Sequence, residues 1–87
     1  MYEVLLSKNA TIFLEKLKDK KTSKMLLEKI RGLAKNPKPN GSLKLKGTVG
    51  LYRVRKGNYR IIYDVEDKKL VVLVLEIGHR KNVYDDF

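Results

Sequence analysis

Residues 51–65 read LYRVRKGNYRIIYDV, two runs of alternating side chains joined close to Gly57-Asn58. A period of two on both sides of a Gly-Asn turn is typical of a β-hairpin. The first run alternates basic with apolar residues, and the second places aromatic and β-branched residues on one side. This stretch therefore predicts two antiparallel strands with one apolar and one basic face.

The loop of the hairpin sets which arginines face each other. A loop at Gly57-Asn58 places Arg55 opposite Arg60, whereas a loop at Lys56-Gly57 places Arg53 there. Either loop leaves all three arginines on one face. Like charges across a strand pair are unfavourable by up to roughly 1 kcal/mol, so a bound anion would relieve them. The alternative is an exposed cationic face that blocks edge pairing.

Length and composition indicate a single domain, residues 1–87, with 43% hydrophobic residues. No apolar run reaches the roughly 20 residues that span a bilayer, and the start of the chain lacks the features of a signal peptide. With no Cys and one His, the sequence indicates no disulfide, metal site or cofactor. We expect a cytoplasmic protein without membrane contact.

The net charge of +10 is unevenly distributed along the chain. No acidic residue lies between Glu28 and Asp64, although ten bases do. These bases are Lys29, Arg31, Lys35, Lys38, Lys44, Lys46, Arg53, Arg55, Lys56 and Arg60. Such segregation predicts a polyanionic partner, either nucleic acid or an acidic protein segment, and binding that weakens with salt.

The first third of the chain predicts a strand and two helices. Tyr2–Leu6 is a short apolar run, and Ser7 can cap the first helix. Thr22 or Ser23 is the expected cap of the second helix. The apolar residues with helical spacing are Ala10, Phe13, Leu14 and Leu17, then Leu26, Leu27, Ile30, Leu33 and Ala34.

The last part of the chain predicts the remaining strands. Two prolines and a glycine end the second helix within residues 36–42. The continuous apolar run 70–77 is expected to be a central strand buried on both faces. The order β-α-α-β-β-β then describes a two-layer α+β domain, a mainly antiparallel sheet with a helical hairpin on one face. The arginines should line the uncovered face, and Lys44 and Lys46 lie close enough in sequence to join them.

Three residues after the apolar run have side chains suited to chemistry. An imidazole can accept and donate a proton, so His79 is a candidate for proton transfer. Arg80 can bind phosphate, and Tyr84 lies four residues further on. A ribonuclease without metal must deprotonate a 2′-hydroxyl, hold the phosphate and protonate the leaving 5′-oxygen. The alternative for His79 is a polar turn residue, and for Tyr84 an anchor packed on the sheet.

The run LYRVRKGNYRIIY, followed by IGHRKNVY and preceded by LKLKG, resembles the RelE branch of the RelE/ParE toxin superfamily over residues 2–84. The resemblance implies a RelE-like fold and a toxin that cleaves messenger RNA in the ribosomal A site without a metal. It also implies a RelB-like antitoxin as partner, a small chain that wraps the toxin and blocks the site.

The resemblance also implies roles for individual residues. Arg53 and Arg55 match two basic positions that act on the scissile phosphate, and Arg60 and Arg80 match arginines that stabilise the transition state. Tyr84 matches a tyrosine that orients or stacks on the substrate base. Well-known RelE members have Lys where this chain has Arg53 and Arg55, and an arginine does not readily lose its proton. Both are therefore assigned to phosphate binding, which leaves His79 and Tyr84 as the candidates for proton transfer.

Two other functions fit the same fold and charge. One is a ParE-like toxin that inhibits DNA gyrase by binding and has no nuclease site. The other is a basic RNA-binding module, although the chain has no recognisable aromatic RNA-binding motif and its hairpin tyrosines are expected in the core. The arginine hairpin and the Gly-His-Arg…Tyr ending favour the nuclease.

Overall fold

The computed structural model describes residues 1–79 of the chain. In this part the chain forms two helices and five strands, which are β1 (Glu3–Leu6), α1 (Lys8–Lys16), α2 (Lys20–Gly32), β2 (Leu43–Lys44), β3 (Leu51–Lys56), β4 (Tyr59–Glu66) and β5 (Val71–His79). The expected order is confirmed, with the two-residue strand β2 in addition. Neither helix in this range is long and apolar enough to cross a membrane.

The five strands form one mixed sheet in the order β1-β5-β4-β3-β2. Strands β2 to β5 follow one another as an antiparallel meander, while β1 pairs in parallel with β5. Parallel pairing of β1 requires a crossover, and the two helices provide it. The crossover also places both helices on the same face of the sheet, which gives the predicted two-layer α+β fold.

The main core lies between the helices and one face of the sheet. Its buried members are Ala10, Leu14, Leu26, Ile30, Leu33, Val54, Ile61, Tyr63, Val65, Val72, Val74 and Ile77. Half-buried Tyr52 and Tyr59 pack against the same cluster. This confirms that the alternating apolar residues of the hairpin lie on the face covered by the helices.

Ser7 caps the first helix, as the sequence predicts. Its hydroxyl oxygen accepts a hydrogen bond from the Ala10 backbone N–H (3.1 Å) and the hydroxyl donates to the Leu75 carbonyl (2.7 Å). One side chain thus starts α1 and ties it to β5.

The second helix begins earlier than the sequence predicts. The expected cap at Thr22 or Ser23 is wrong, because Asp19 is the N-cap and the helix begins at Lys20. The Asp19 carboxylate accepts from the Lys21 backbone N–H (3.0 Å) and from the Thr22 hydroxyl (2.8 Å). Asp caps a helix as well as Ser does, and the exposed first turn does not need apolar side chains.

The prediction that residues 70–77 are buried on both faces is also wrong. In β5 only one face is fully buried, with Val72 and Val74 at 0% exposure. Val71, Leu73 and Leu75 are half-buried. β5 is an interior strand between β1 and β4, but β4 is the middle strand of the five.

The pairing of β4 with β5 contains an irregularity that decides which face later residues occupy. Tyr63 pairs with Val74, but its neighbour Ile62 pairs with Glu76, so Leu75 is an extra residue in β5. Side chains alternate along a strand, and one inserted residue therefore exchanges the two faces beyond it. Ile77 consequently joins the core beneath the helices.

Candidate functional site

The strand register places three arginines on the sheet face opposite the helices. Arg55 pairs directly with Arg60, as expected for a loop at Gly57-Asn58, and Arg53 pairs with Ile62. Gly57 has a φ of +59°, a backbone conformation that glycine adopts without steric cost. We call Arg53, Arg55 and Arg60 the arginine face.

The three arginines differ in burial, which the sequence does not reveal. Arg53 is 6% exposed and Arg60 is 8% exposed, whereas Arg55 is exposed. Burial restricts the rotamers of a long side chain. Two guanidinium groups are therefore held in the structure, and the third reaches solvent beside them.

This face is less open than the sequence predicts. Ile62 is 1% exposed and forms a second small cluster with Leu45 and the half-buried Leu51. The chain between β2 and β3 therefore covers part of the face next to Arg53. This apolar contact could have been predicted from the alternation of Leu43, Lys44 and Leu45, because it places both leucines on the same side of the chain.

Gly78 is the partner of Arg60 on β5. Since glycine has no side chain, β5 places no side chain directly opposite Arg60 in this pair. Arg80 follows two residues later, but Arg80 and Tyr84 lie outside the described residues. Their assignment to the site therefore stays a prediction.

His79 lies on the face opposite the arginines. It pairs with Tyr59, and the two rings contact edge to face with centroids 5.9 Å apart. Tyr59 in turn contacts Phe13 of α1, with centroids 6.0 Å apart. His79 lies on this face because Leu75 is an extra residue in β5. Strict alternation along β5 would have turned His79 towards the arginines. The structure thus corrects the expectation that His79 shares their site.

Lys44 is not brought together with the arginines either, and the assignment of Lys46 to the site stays a prediction. Lys44 pairs with Tyr52 and so belongs to the helix-side face, while Lys46 is exposed in the following turn. A third lysine, Lys38, forms an ion pair with Asp67 (3.4 Å) and lies 5.5 Å from the centre of the Tyr52 ring.

An acidic residue, Asp64, pairs with Leu51 and shares the arginine face. Burial raises the pKa of the Asp64 carboxyl, and the charge of Glu66 raises it further. Within residues 1–79, no three His, Asp or Glu side chains are placed to hold a metal ion. The chemistry that this face offers is anion binding by guanidinium groups.

Comparison with known proteins agrees with this geometry. The model of the ParE toxin family, toxins of type II toxin–antitoxin systems, matches residues 4–84. The fold matches RelE in the archaeal RelE–RelB complex from Pyrococcus horikoshii with a TM-score of 0.80 and 32% identity. That match covers 94% of this chain and 98% of the other. The chain belongs to the RelE/ParE toxin superfamily.

Two further relatives lie within the same superfamily as this toxin. The isolated RelE toxin of E. coli has a TM-score of 0.78 and 27% identity, with 99% of this chain and 94% of that chain covered. Toxin RelG of Mycobacterium tuberculosis is 29% identical over 52 residues, which are 60% of this chain and 60% of RelG. The RelG match thus spans less than two thirds of that relative, whereas the structural matches are nearly complete.

Proposed function

We propose that this toxin is a metal-independent endoribonuclease that cleaves messenger RNA in the ribosomal A site and so inhibits translation. The observation that carries the proposal is the pairing of Arg55 with Arg60 on the same face as Arg53. Like charges in register cost stability, and such departures from local stability concentrate at functional sites. Similarity to RelE toxins supports the same reading.

The three arginines have different proposed roles, which follow from their burial. Arg55 is exposed and is suited to capture the phosphate, while Arg53 and Arg60 are held in the surface. A guanidinium group binds two phosphate oxygens at once. In the reaction the 2′-oxygen attacks phosphorus and the bond to the 5′-oxygen breaks. Negative charge grows on the phosphate oxygens, and fixed cations stabilise it.

Proton transfer needs a group other than an arginine, because guanidinium stays protonated at neutral pH. His79 lies on the other face of the sheet, so Tyr84 is the remaining candidate. Its role, and that of Arg80 in stabilising the transition state, stay predictions based on the resemblance. Lys44 has no assigned part in this mechanism, and phosphate binding by Lys46 stays a prediction.

A RelB-like antitoxin is the proposed partner that controls the toxin. Structural relatives include RelE–RelB complexes, among them the one from Pyrococcus horikoshii. A chain with acidic residues that orders on binding would neutralise the arginine face and block access to it. A toxin acting on translating ribosomes would work in the cytoplasm.

Gyrase inhibition is a second candidate function. The matching family is that of the ParE toxins of type II toxin–antitoxin systems. A ParE-like toxin would bind DNA gyrase without cutting RNA. The two functions differ in what they require of the arginine face. A nuclease needs fixed cations on one phosphate, whereas a gyrase inhibitor needs only a binding surface.

The first test is cleavage of a messenger RNA on programmed ribosomes. We expect cuts within the A-site codon that require ribosomes. Arg60→Lys keeps the positive charge but cannot bind phosphate in a bidentate manner. Arg55→Ala removes the exposed cation. We expect Arg60→Lys to lower the cleavage rate about 100-fold, the size typical for loss of one transition-state contact. Lys69→Gln, in the exposed turn after β4, is the control and should cleave as the wild type does.

Circular dichroism must show that each variant is folded, because Arg60 is buried. If both folded arginine variants cleave at the wild-type rate, the assigned site is wrong. If the folded wild type makes no cuts, the nuclease proposal fails. A gyrase supercoiling assay then decides whether the second function replaces it.

A further inference from the structure

Asp64 is an acidic residue on the same sheet face as the arginines, and the proposed cleavage mechanism does not use it. It pairs with Leu51 of β3 on one side and with Leu73 of β5 on the other. Both leucines are half-buried, as is Asp64 itself. Because paired residues on neighbouring strands place their side chains next to each other, the carboxylate lies between two apolar side chains.

The turn before β3 restricts the position of this carboxylate. A Cβ added to Gly50 would lie 2.7 Å from Asp64 Oδ1, closer than nonbonded atoms normally approach. Glycine therefore allows the carboxylate to lie against the backbone of the turn. The Gly50 carbonyl also accepts a hydrogen bond from the Val65 backbone N–H (2.9 Å), which ties this turn to β4 beside Asp64. The carboxylate is thus placed by backbone contacts on two strands.

The surroundings of Asp64 do not compensate its charge. In the described part of the chain, the side-chain ion pair that forms joins Lys38 to Asp67, and Asp64 forms no ion pair with another side chain there. Burial raises the pKa of the Asp64 carboxyl, and the charge of Glu66 raises it further. A carboxylate in apolar surroundings costs stability unless it accepts hydrogen bonds, and such costs are typical of functional positions. A ligand that donates hydrogen bonds would compensate the charge.

The chemistry of a carboxylate narrows the choice of ligand. It only accepts hydrogen bonds, and its two oxygens can accept from two adjacent donors. In single-stranded RNA, proteins read bases at their Watson–Crick edges. Guanine has two neighbouring donors at that edge, its N1–H and its N2 amino group. Adenine and cytosine have one amino group beside an acceptor, and uracil has one N–H between two acceptors. Guanine is therefore the base that matches the carboxylate.

We propose that Asp64 binds the Watson–Crick edge of a guanine in the RNA substrate, with Leu51 and Leu73 packed against the ring. Asp64 lies four residues from Arg60 on β4, about 13 Å along the strand, and Arg53 occupies the row between them. The base site and the phosphate site thus share one face, where neighbouring nucleotides of one strand can reach both. The inference rests on the proposed function for RNA as the ligand, and it adds a base preference to the cleavage.

The test is binding of labelled oligouridines of about six nucleotides that contain one central guanosine, inosine or adenosine, followed by fluorescence anisotropy without ribosomes. Inosine differs from guanosine by the loss of the N2 amino group, which removes one of the two hydrogen bonds. We expect the wild type to bind the guanosine oligonucleotide about tenfold more tightly than the inosine one, the usual effect of one hydrogen bond to a charged group. This comparison needs no variant.

Asp64→Asn keeps the size of the side chain but replaces one acceptor oxygen with a donor. It should reduce the preference for guanosine over inosine to about twofold or less. It should also bind the adenosine oligonucleotide about fivefold more tightly than the wild type does, because an amide matches the amino group and ring nitrogen of adenine. The matched control is Glu66→Gln, which loses the same charge from an exposed position on β4 and should keep the wild-type preference.

Four results would overturn the inference. The wild type could bind none of the oligonucleotides, or bind guanosine and inosine equally. A variant Asp64→Asn shown to be folded by circular dichroism could keep the wild-type preference, or Glu66→Gln could lose it as well. Since no ribosomes are present, absence of A-site cleavage would refute the proposed nuclease and leave a measured guanine preference standing. Cleavage without a base preference would refute only the role of Asp64.

Discussion

At the scale of single residues, burial separates side chains that look equivalent in the sequence. Tyr52 and Tyr63 pair across β3 and β4 and their rings stack with centroids 5.9 Å apart. Tyr63 is 0% exposed, and its hydroxyl donates to the Pro37 carbonyl at 2.8 Å. Burial raises the pKa of Tyr63 to about 12. This hydroxyl holds the loop after α2 against the sheet.

Removing the Tyr63 hydroxyl should lower the free energy of unfolding by an amount that decreases at high pH. Tyr63→Phe should lower the free energy of unfolding by about 1 kcal/mol near pH 7, the usual value of one hydrogen bond. The folded pKa lies above the ordinary value of 10.0, so the contribution is full below pH 10 and is lost as the pH rises through about 12. Urea unfolding of both proteins should therefore show their difference shrinking across this range. A difference that grows with pH would contradict the assignment.

At the scale of elements, competition among capping residues decides where α2 begins. Asp19 takes the capping role that the sequence predicts for Thr22 or Ser23. The Thr22 hydroxyl itself donates to Asp19, and this hydrogen bond is the main reason that the pKa of the Asp19 carboxyl is lowered. Because the pKa of Asp19 is lowered in the folded protein, the cap stabilises the fold fully above the ordinary carboxyl pKa of 3.8, and this stabilisation is lost in acid.

The melting temperatures of two alanine variants should show which residue caps α2. Asp19→Ala should lower the Tm by about 5 °C at pH 7, and Ser23→Ala, the control, should change it far less. The Asp19→Ala difference should shrink as the pH falls below 3.8 and through the lowered pKa. Thermal unfolding followed by circular dichroism measures both. A larger effect of Ser23→Ala would restore the cap that the sequence predicts.

At the scale of the whole molecule, the two layers leave different chemistry on different sides. The sheet carries the arginine face on one side and packs under the helices on the other, and His79 contacts Tyr59 on the helix side. A residue on that side has no direct path to a phosphate bound by Arg55. In the proposed nuclease mechanism, a group other than His79 must then transfer the proton.

His79→Ala should consequently retain ribosome-dependent cleavage within about threefold of wild type, with an unchanged dependence of the rate on pH. Arg55→Ala, exposed like His79 but on the other face, should lose it. If a folded His79→Ala variant lost cleavage, proton transfer by His79 would have to be reconsidered together with the pairing of β4 and β5.

Several features follow from local patterns and were predictable. The period of two around Gly57-Asn58 predicts the hairpin and the shared face of its arginines, and Ser7 before an apolar helical stripe predicts a cap. The wrong predictions concern the cap of α2 and the burial of residues 70–77, where the local sequence pattern allows more than one structure. Three capping residues lie within five positions at the start of α2, and a run of valines and leucines does not tell how many of its faces are covered.

The sequence by itself determined the local elements, the segregation of charge and the superfamily resemblance, because these depend on neighbours along the chain. The tertiary structure decided what depends on distant pairing. It buried Arg53 and Arg60 while leaving Arg55 exposed, and it inserted Leu75 as an extra residue opposite β4. That insertion turned His79 away from the arginines. Pairing between strands is set by packing of the whole sheet against its helices, and no pattern within one strand records it.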